Sequence, residues 1–250
     1  IKQTDIETIS KEINEILFTP SLQTPIKTLD VPLAGKGYSP QTLTLVLDLV
    51  NISNDNKPDV ELDDDNVGDE VIKMLKRTRK ILFRISGSHP SSLGLHPVVY
   101  FYSITGRYQV SAFLAVLELM IDFEKRDFFK NFIVARKRFE DFLIKYKGII
   151  NQIVFKFGSG LKSYRRIHRF FILVIEEIIS GKTDSEILER LKSTEFSFLT
   201  PQETELEVTN RKEFSTETKS ATFLRDALEN PLKCKICNGM IHRNSISIDH

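Results

Sequence analysis

Cysteine is nearly absent. The chain of 250 residues holds two, Cys234 and Cys237, both within the last seventeen positions. That scarcity excludes a disulfide scaffold and points to a reducing compartment, with the cytoplasm as the expected location. No run of eighteen apolar residues occurs, so no membrane-spanning helix and no membrane partner are expected. The opening segment, IKQTDIETIS, has neither an apolar signal core nor an initiator methionine. Together with the abrupt end on Asp249-His250, this gives the expectation of a fragment of a longer protein. No internal repeat is found, and no low-complexity tract beyond one acidic loop. Net charge is small too, at +1, which excludes a dedicated nucleic-acid coat. That value hides an asymmetry. From Asp55 to Glu70 eight acidic residues meet one lysine, a net of −7, so the remainder carries +8.

What is present is a helical pattern. At 41% hydrophobic and 28% charged, the chain can bury a core and keep a polar surface. Thr4 and Glu7 have capping-box spacing, and Ile6, Ile9, Ile13, Ile16 and Leu17 recur at helical intervals. A first helix is therefore predicted from Asp5 to Phe18. Ser39-Pro40 is a helix start, and Leu43 to Val50 predict a second helix to Ile52. The acidic loop follows, its later acids placed to favour the next helix start. That next helix, Asp69 to Ile85, carries Lys73, Lys76, Arg77, Arg79, Lys80 and Arg84 on one face and apolar residues on the other. An amphipathic helix with a basic exposed face is the simpler reading; a phosphate-contacting helix is the alternative. His89 and His96 sit in a Ser/Gly/Pro-rich loop, each followed by proline, and read as structural or exposed. The apolar patch from Pro97 to Tyr102 is too short to assign as helix or strand.

Two helices are predicted between Gln109 and Tyr146. The first is a central core helix, and the second places phenylalanines at core spacing among Lys and Arg. A short helix from Ile149 to Phe157 ends at Gly158-Ser159-Gly160. Lys162, Arg165, Arg166 and Arg169 then open a helix to Ile179. They are the candidate DNA-phosphate contacts, because amides at a helix start also favour an anion. A basic surface turn is the competing reading. Thr183 and Glu186 form a second capping box, opening a helix to Lys192. A last helix is predicted from Ser215 to Asn230, stopped by Pro231. The fold class is mainly α: a multi-helix domain over 1–195, a polar linker over 196–215, and a C-terminal piece over 216–250. The helices from Ser39 to Ile179 hold enough large apolar residues for an independent core.

The C-terminal piece carries the chemistry. Two thiolates separated by two residues on a tight turn can fill adjacent corners of a zinc tetrahedron. No further cysteine supplies the other corners, leaving His242 or another chain to complete the set. After the turn, Ser245-Ile246-Ser247-Ile248 alternates as a strand does, and Asp249-His250 follows. A redox pair is disfavoured, because such a motif opens a helix. A C2H2 finger or a zinc ribbon are the other readings.

The stretch from Cys234 to His250 resembles the first half of an HNH (ββα-metal) endonuclease domain. A small β-hairpin, or zinc-knuckle start, is what that resemblance implies for the fold. It also implies that Cys234 and Cys237 are two ligands of a structural Zn2+. Asp249 would ligate a catalytic divalent metal such as Mg2+, and His250 would be the general base that deprotonates the attacking water. The remaining motif residues would lie after residue 250, so the chain given would be inactive alone. The string HPSSLGLHPVVYFYS, a helical region and then the knuckle look like bacterial HNH proteins of restriction or phage defence. In such proteins a ParB-like or sensor domain often comes first, although its Asp-Gly-Gln-Arg motif does not occur here. The expected function is metal-dependent hydrolysis of DNA phosphodiesters. The alternative is a non-catalytic helical interaction or nucleic-acid-binding module with a zinc knuckle.

Overall fold

A computed structural model describes residues 2–18, 33–35, 42–56, 65–87, 91–204, 227–228, 231–242 and 245–246. Among these the architecture is mainly helical. In chain order the helices are α1 (Lys2–Phe18), α2 (Leu43–Ser53), α3 (Asp69–Ile85), α4 (Pro97–Tyr100), α5 (Val110–Lys125), α6 (Phe129–Lys145), α7 (Gly148–Phe157), α8 (Tyr164–Ile179) and α9 (Asp184–Lys192). A 3-10 turn, Gly160–Lys162, precedes α8.

The most apolar segment takes the centre. Ala112 to Leu117 on α5 are without solvent exposure, and α8 and α6 pack beside them. Phe139 and Phe171 meet edge-on at 5.5 Å between α6 and α8, and Phe123 lies 5.0 Å from Phe132. Such aromatic contacts add to area burial, which is the main stabilising term. The α1–α3 pair covers another side of the core, with Ile9, Ile13, Leu17, Ile81, Leu82 and Ile85 buried.

Several boundaries differ from expectation. α1 begins at Lys2, so Thr4 lies inside the helix and does not cap it. Glu7 instead accepts a hydrogen bond from Gln3 Nε2 at 2.9 Å, and Lys2 pairs with Asp69 at 2.7 Å. The proposed start at Ser39-Pro40 lies outside the described residues. Asp65 does favour the next helix start: its carboxylate accepts from the amides of Gly68 and Val71, each at 2.8 Å. The undecided 97–102 patch is one buried helical turn followed by a bridge between Tyr102 and Tyr108. The second capping box is present, with Thr183 and Glu186 bonded reciprocally.

The stretch expected to open a linker at 196 does not leave the body at that point. Phe196 is buried 5.9 Å from Phe170, Phe198 packs on Phe157, and Thr204 N donates to Lys145 O at 2.7 Å. Two phenylalanines in a segment rich in polar residues suffice to hold it down. Most of the expected 215–230 helix lies outside the described residues; Ala227 and Leu228 are helical. Extended pairing among the described residues is limited to isolated antiparallel bridges, Leu95–Ile241, Tyr102–Tyr108 and Lys233–Met240.

Candidate functional site

Residues 232–241 close a tight turn. Cys234 N donates to Gly239 O at 2.9 Å, Asn238 N to Cys234 O at 2.8 Å, and Ile241 N to Leu232 O at 2.8 Å. Asn238 takes the left-handed conformation that the turn demands, with φ at 56°. Cys234 and Cys237 are partly buried free thiols within hydrogen-bonding reach of each other. Their acidities diverge. Burial pushes Cys234 up, but the amides of Cys237 and Ile236, the Cys237 thiol and the Arg136 guanidinium outweigh it, and its pKa falls below the ordinary value. Cys237 is raised, first by burial and also by its neighbouring thiol. The turn therefore favours one thiolate over two until a cation neutralises the pair.

The turn is seated on the helical body by a buried ion pair. Arg136 and Glu140, one turn apart on α6, are 2% and 1% exposed, with Nε 2.8 Å from Oε1. Arg136 Nη2 donates to Met240 O at 2.5 Å, and Nη1 to Leu93 O at 2.5 Å. Met240 N donates to Glu140 Oε2 at 2.6 Å, and Tyr100 OH to Oε1 at 2.9 Å. Burial acts to lower the pKa of Arg136, yet Tyr100, Glu140 and Cys237 hold it above the ordinary value and keep it charged. Gly239 makes the approach possible: a Cβ there would lie 2.4 Å from Arg136 Nε.

His242 completes the seat. Its backbone N donates to Gly94 O at 2.7 Å, and its Nδ1 lies 3.0 Å from Ser86 Oγ at the end of α3. The ring is buried and meets His96 edge-on at 6.2 Å. His242 is thus engaged with the body and does not join the thiols. Ser245 Oγ accepts from Gly87 N at 2.8 Å, which guides the chain along the α3 terminus. Beneath lies Lys147, whose ammonium donates to Val98 O and Val99 O at 2.6 and 3.1 Å. Burial lowers its pKa to about 7. Burial, and then His242, Lys147 and Arg136, lower that of His96 to about 3.

Asp249 and His250 lie outside the described residues, so only part of the expected site is on view. Two thiols on a turn suit two corners of a zinc tetrahedron. No group of three or more metal-ligating side chains is found among the described residues. The basic candidates lie apart from the turn's hydrogen-bond network. Arg169 makes a two-point ion pair with Glu195, Nε–Oε1 and Nη2–Oε2 both at 2.8 Å. Arg166 stacks on Phe157 at 4.0 Å and donates to Lys162 O; Arg165 donates to Tyr164 OH at 3.0 Å. Lys162 lies against Gly158. The basic face of α3 is similarly paired, with Arg79 on Glu12, Lys80 on Glu124 and Arg77 donating to Ser53 O.

No family model, no curated protein and no solved structure matches this chain. The functional reading therefore rests on the residues themselves. Sequence reasoning missed Arg136 and Glu140, taking the charges of that helix as a solvated face. A signal was there: Phe132, Arg136 and Glu140 fall at four-residue spacing on the stripe that also holds Phe139 and Leu143. Arg–Glu at that spacing within an aromatic stripe marks a buried pair.

Proposed function

We propose that the Cys234–Gly239 turn is a zinc knuckle opening an HNH-type nuclease domain, and that the protein is a metal-dependent DNA endonuclease of restriction or anti-phage defence. The observation that supports this reading best is the docking of the turn. Two thiols on a short antiparallel bend, held by Arg136 and Glu140, give a fixed platform from which the chain leads on to Asp249 and His250. In this reading the bend is the start of a β-hairpin. Cys234 and Cys237 hold half of a structural Zn2+ site. Asp249 ligates a divalent cation that stabilises charge on the phosphate, and His250 takes the proton from the attacking water. The helical body positions DNA or couples to a sensor domain.

The test uses the protein in its natural full length. Supercoiled DNA should be cut when Mg2+ or Mn2+ is present. His250→Ala should abolish cutting while DNA binding stays nearly intact, because only a proton acceptor is lost. Asp249→Ala should lose cleavage through the metal. Wild-type rates in His250→Ala would overturn the assignment. The second reading, a non-catalytic module with a zinc knuckle, draws on how deeply the turn is built into the body; it would then stand.

A further inference from the structure

Away from the knuckle, a cavity of about 550 Å3 opens between residues 103–111, α7 and Ser159–Gly160. That volume lies within the usual range for small-molecule sites. Part of its wall is the first turn of α5: Gln109, Val110 and Ser111. This helix of 16 residues has no acidic residue in its first turn and no side-chain cap at Gln109. Its first amides have no intrahelical acceptor, and the helix dipole favours an anion there.

A second observation points to a ligand. Ser111 is 1% exposed, and its Oγ has no hydrogen-bond partner among the described residues. Tyr108 OH and Gln109 Oε1 are likewise buried without a partner among them. An unpaired buried polar atom costs about 1–3 kcal/mol, so three on the wall of one cavity imply a polar guest. The wall's charge tells which kind. Arg107 is the charged residue lining the cavity, and no carboxylate does. Burial holds the Tyr108 phenol well above its ordinary pKa, so it stays a donor. Gln109 Nε2 donates to Asn151 Oδ1 at 2.5 Å, setting two amide side chains beside the anion position.

We propose that this cavity binds a small phosphomonoester, with the phosphate at the first turn of α5 beside Ser111, Tyr108 and Arg107, and its polar body against Gln109 and Asn151. The inference is independent of the nuclease reading. Calorimetric titration of the chain with AMP, glucose 6-phosphate, inorganic phosphate and uncharged adenosine tests it. AMP or glucose 6-phosphate should bind, and tighter than inorganic phosphate; whichever binds tighter identifies the body. Adenosine should not bind. Ser111→Ala and Arg107→Gln should each weaken binding about tenfold or more, while Cys234→Ser should leave it unchanged. Without ligand, Ser111→Ala should melt no lower than the parent, because its hydroxyl has no partner to lose. The proposal is overturned if none of the phosphates binds, if adenosine binds as well as AMP, if both wall variants keep full affinity, or if unliganded Ser111→Ala is destabilised. Equal affinity for inorganic phosphate would overturn the assignment of the body.

Discussion

Arg136 and Glu140 grip both backbone polar groups of a single residue: the guanidinium donates to Met240 O, and the carboxylate accepts from Met240 N. The partners are 104 and 100 positions apart in the chain. A buried ion pair is weak evidence for stability by itself, since desolvation offsets most of the Coulomb attraction. Here it has a positioning role, because it fixes the register of the cysteine turn on α6.

Removing one member should therefore hurt more than removing both. Arg136→Met leaves a buried carboxylate without its cation and should cost about 3–5 kcal/mol in urea unfolding. Arg136→Met with Glu140→Leu should cost less, though the Met240 backbone still loses its partners. In both proteins amides 234–241 should exchange faster with deuterium than in the parent. A double variant as unstable as the single one would contradict this account.

Two glycines make a matched pair. Gly239→Ala puts a methyl 2.4 Å from Arg136 Nε and should lower stability by about 1–3 kcal/mol while loosening the turn. Gly148→Ala, at the start of α7, meets nothing within 4 Å and should be neutral or stabilising by up to about 1 kcal/mol. Thermal melts of the two variants check this directly.

Sequence periodicity places an independent helical core before residue 195, and that expectation needs a later boundary. A chain ending after Thr204 should melt cooperatively as a helical protein, though below the parent because Arg136 and Glu140 lose Met240. Ending at Lys192 also removes buried Phe196 and Leu199 and should lower the midpoint further. Circular dichroism melts of the two truncations should rank in that order.

Stability should depend on pH through His96 and Lys147. The His96 pKa drops from 6.5 to about 3 on folding. The unfolded chain therefore binds more protons between these values, and stability falls as pH drops from 6.5 toward 3. The Lys147 pKa drops from 10.5 to about 7. By the same sign, stability should rise as pH increases above 7. Lys147→Met should flatten the slope between pH 7 and 9, read from urea midpoints at each pH. An unchanged slope would show that the ammonium is not the source.

The helices were legible because their causes are local. The apolar spacing of α3 and α8 and the Thr183–Glu186 box lie within a few residues of the structure they produce. Helical periodicity also showed that the aromatics of α6 face the core. The turn at Cys234 was legible as a turn, from its spacing and its glycine. Its surroundings were not, because no local pattern says that Met240 will meet a helix 100 residues earlier. His96 and His242 read as two unremarkable histidines, and only folding sets their rings edge-on above Lys147. The sequence by itself determined a mainly helical protein with one cysteine turn near its end, since periodicity and turn chemistry act over short range. Tertiary structure alone decided that the turn is built into the body, that Arg136 is buried and not solvated, and that the first turn of α5 faces a cavity. Each depends on burial, and burial is a property of the whole packed chain.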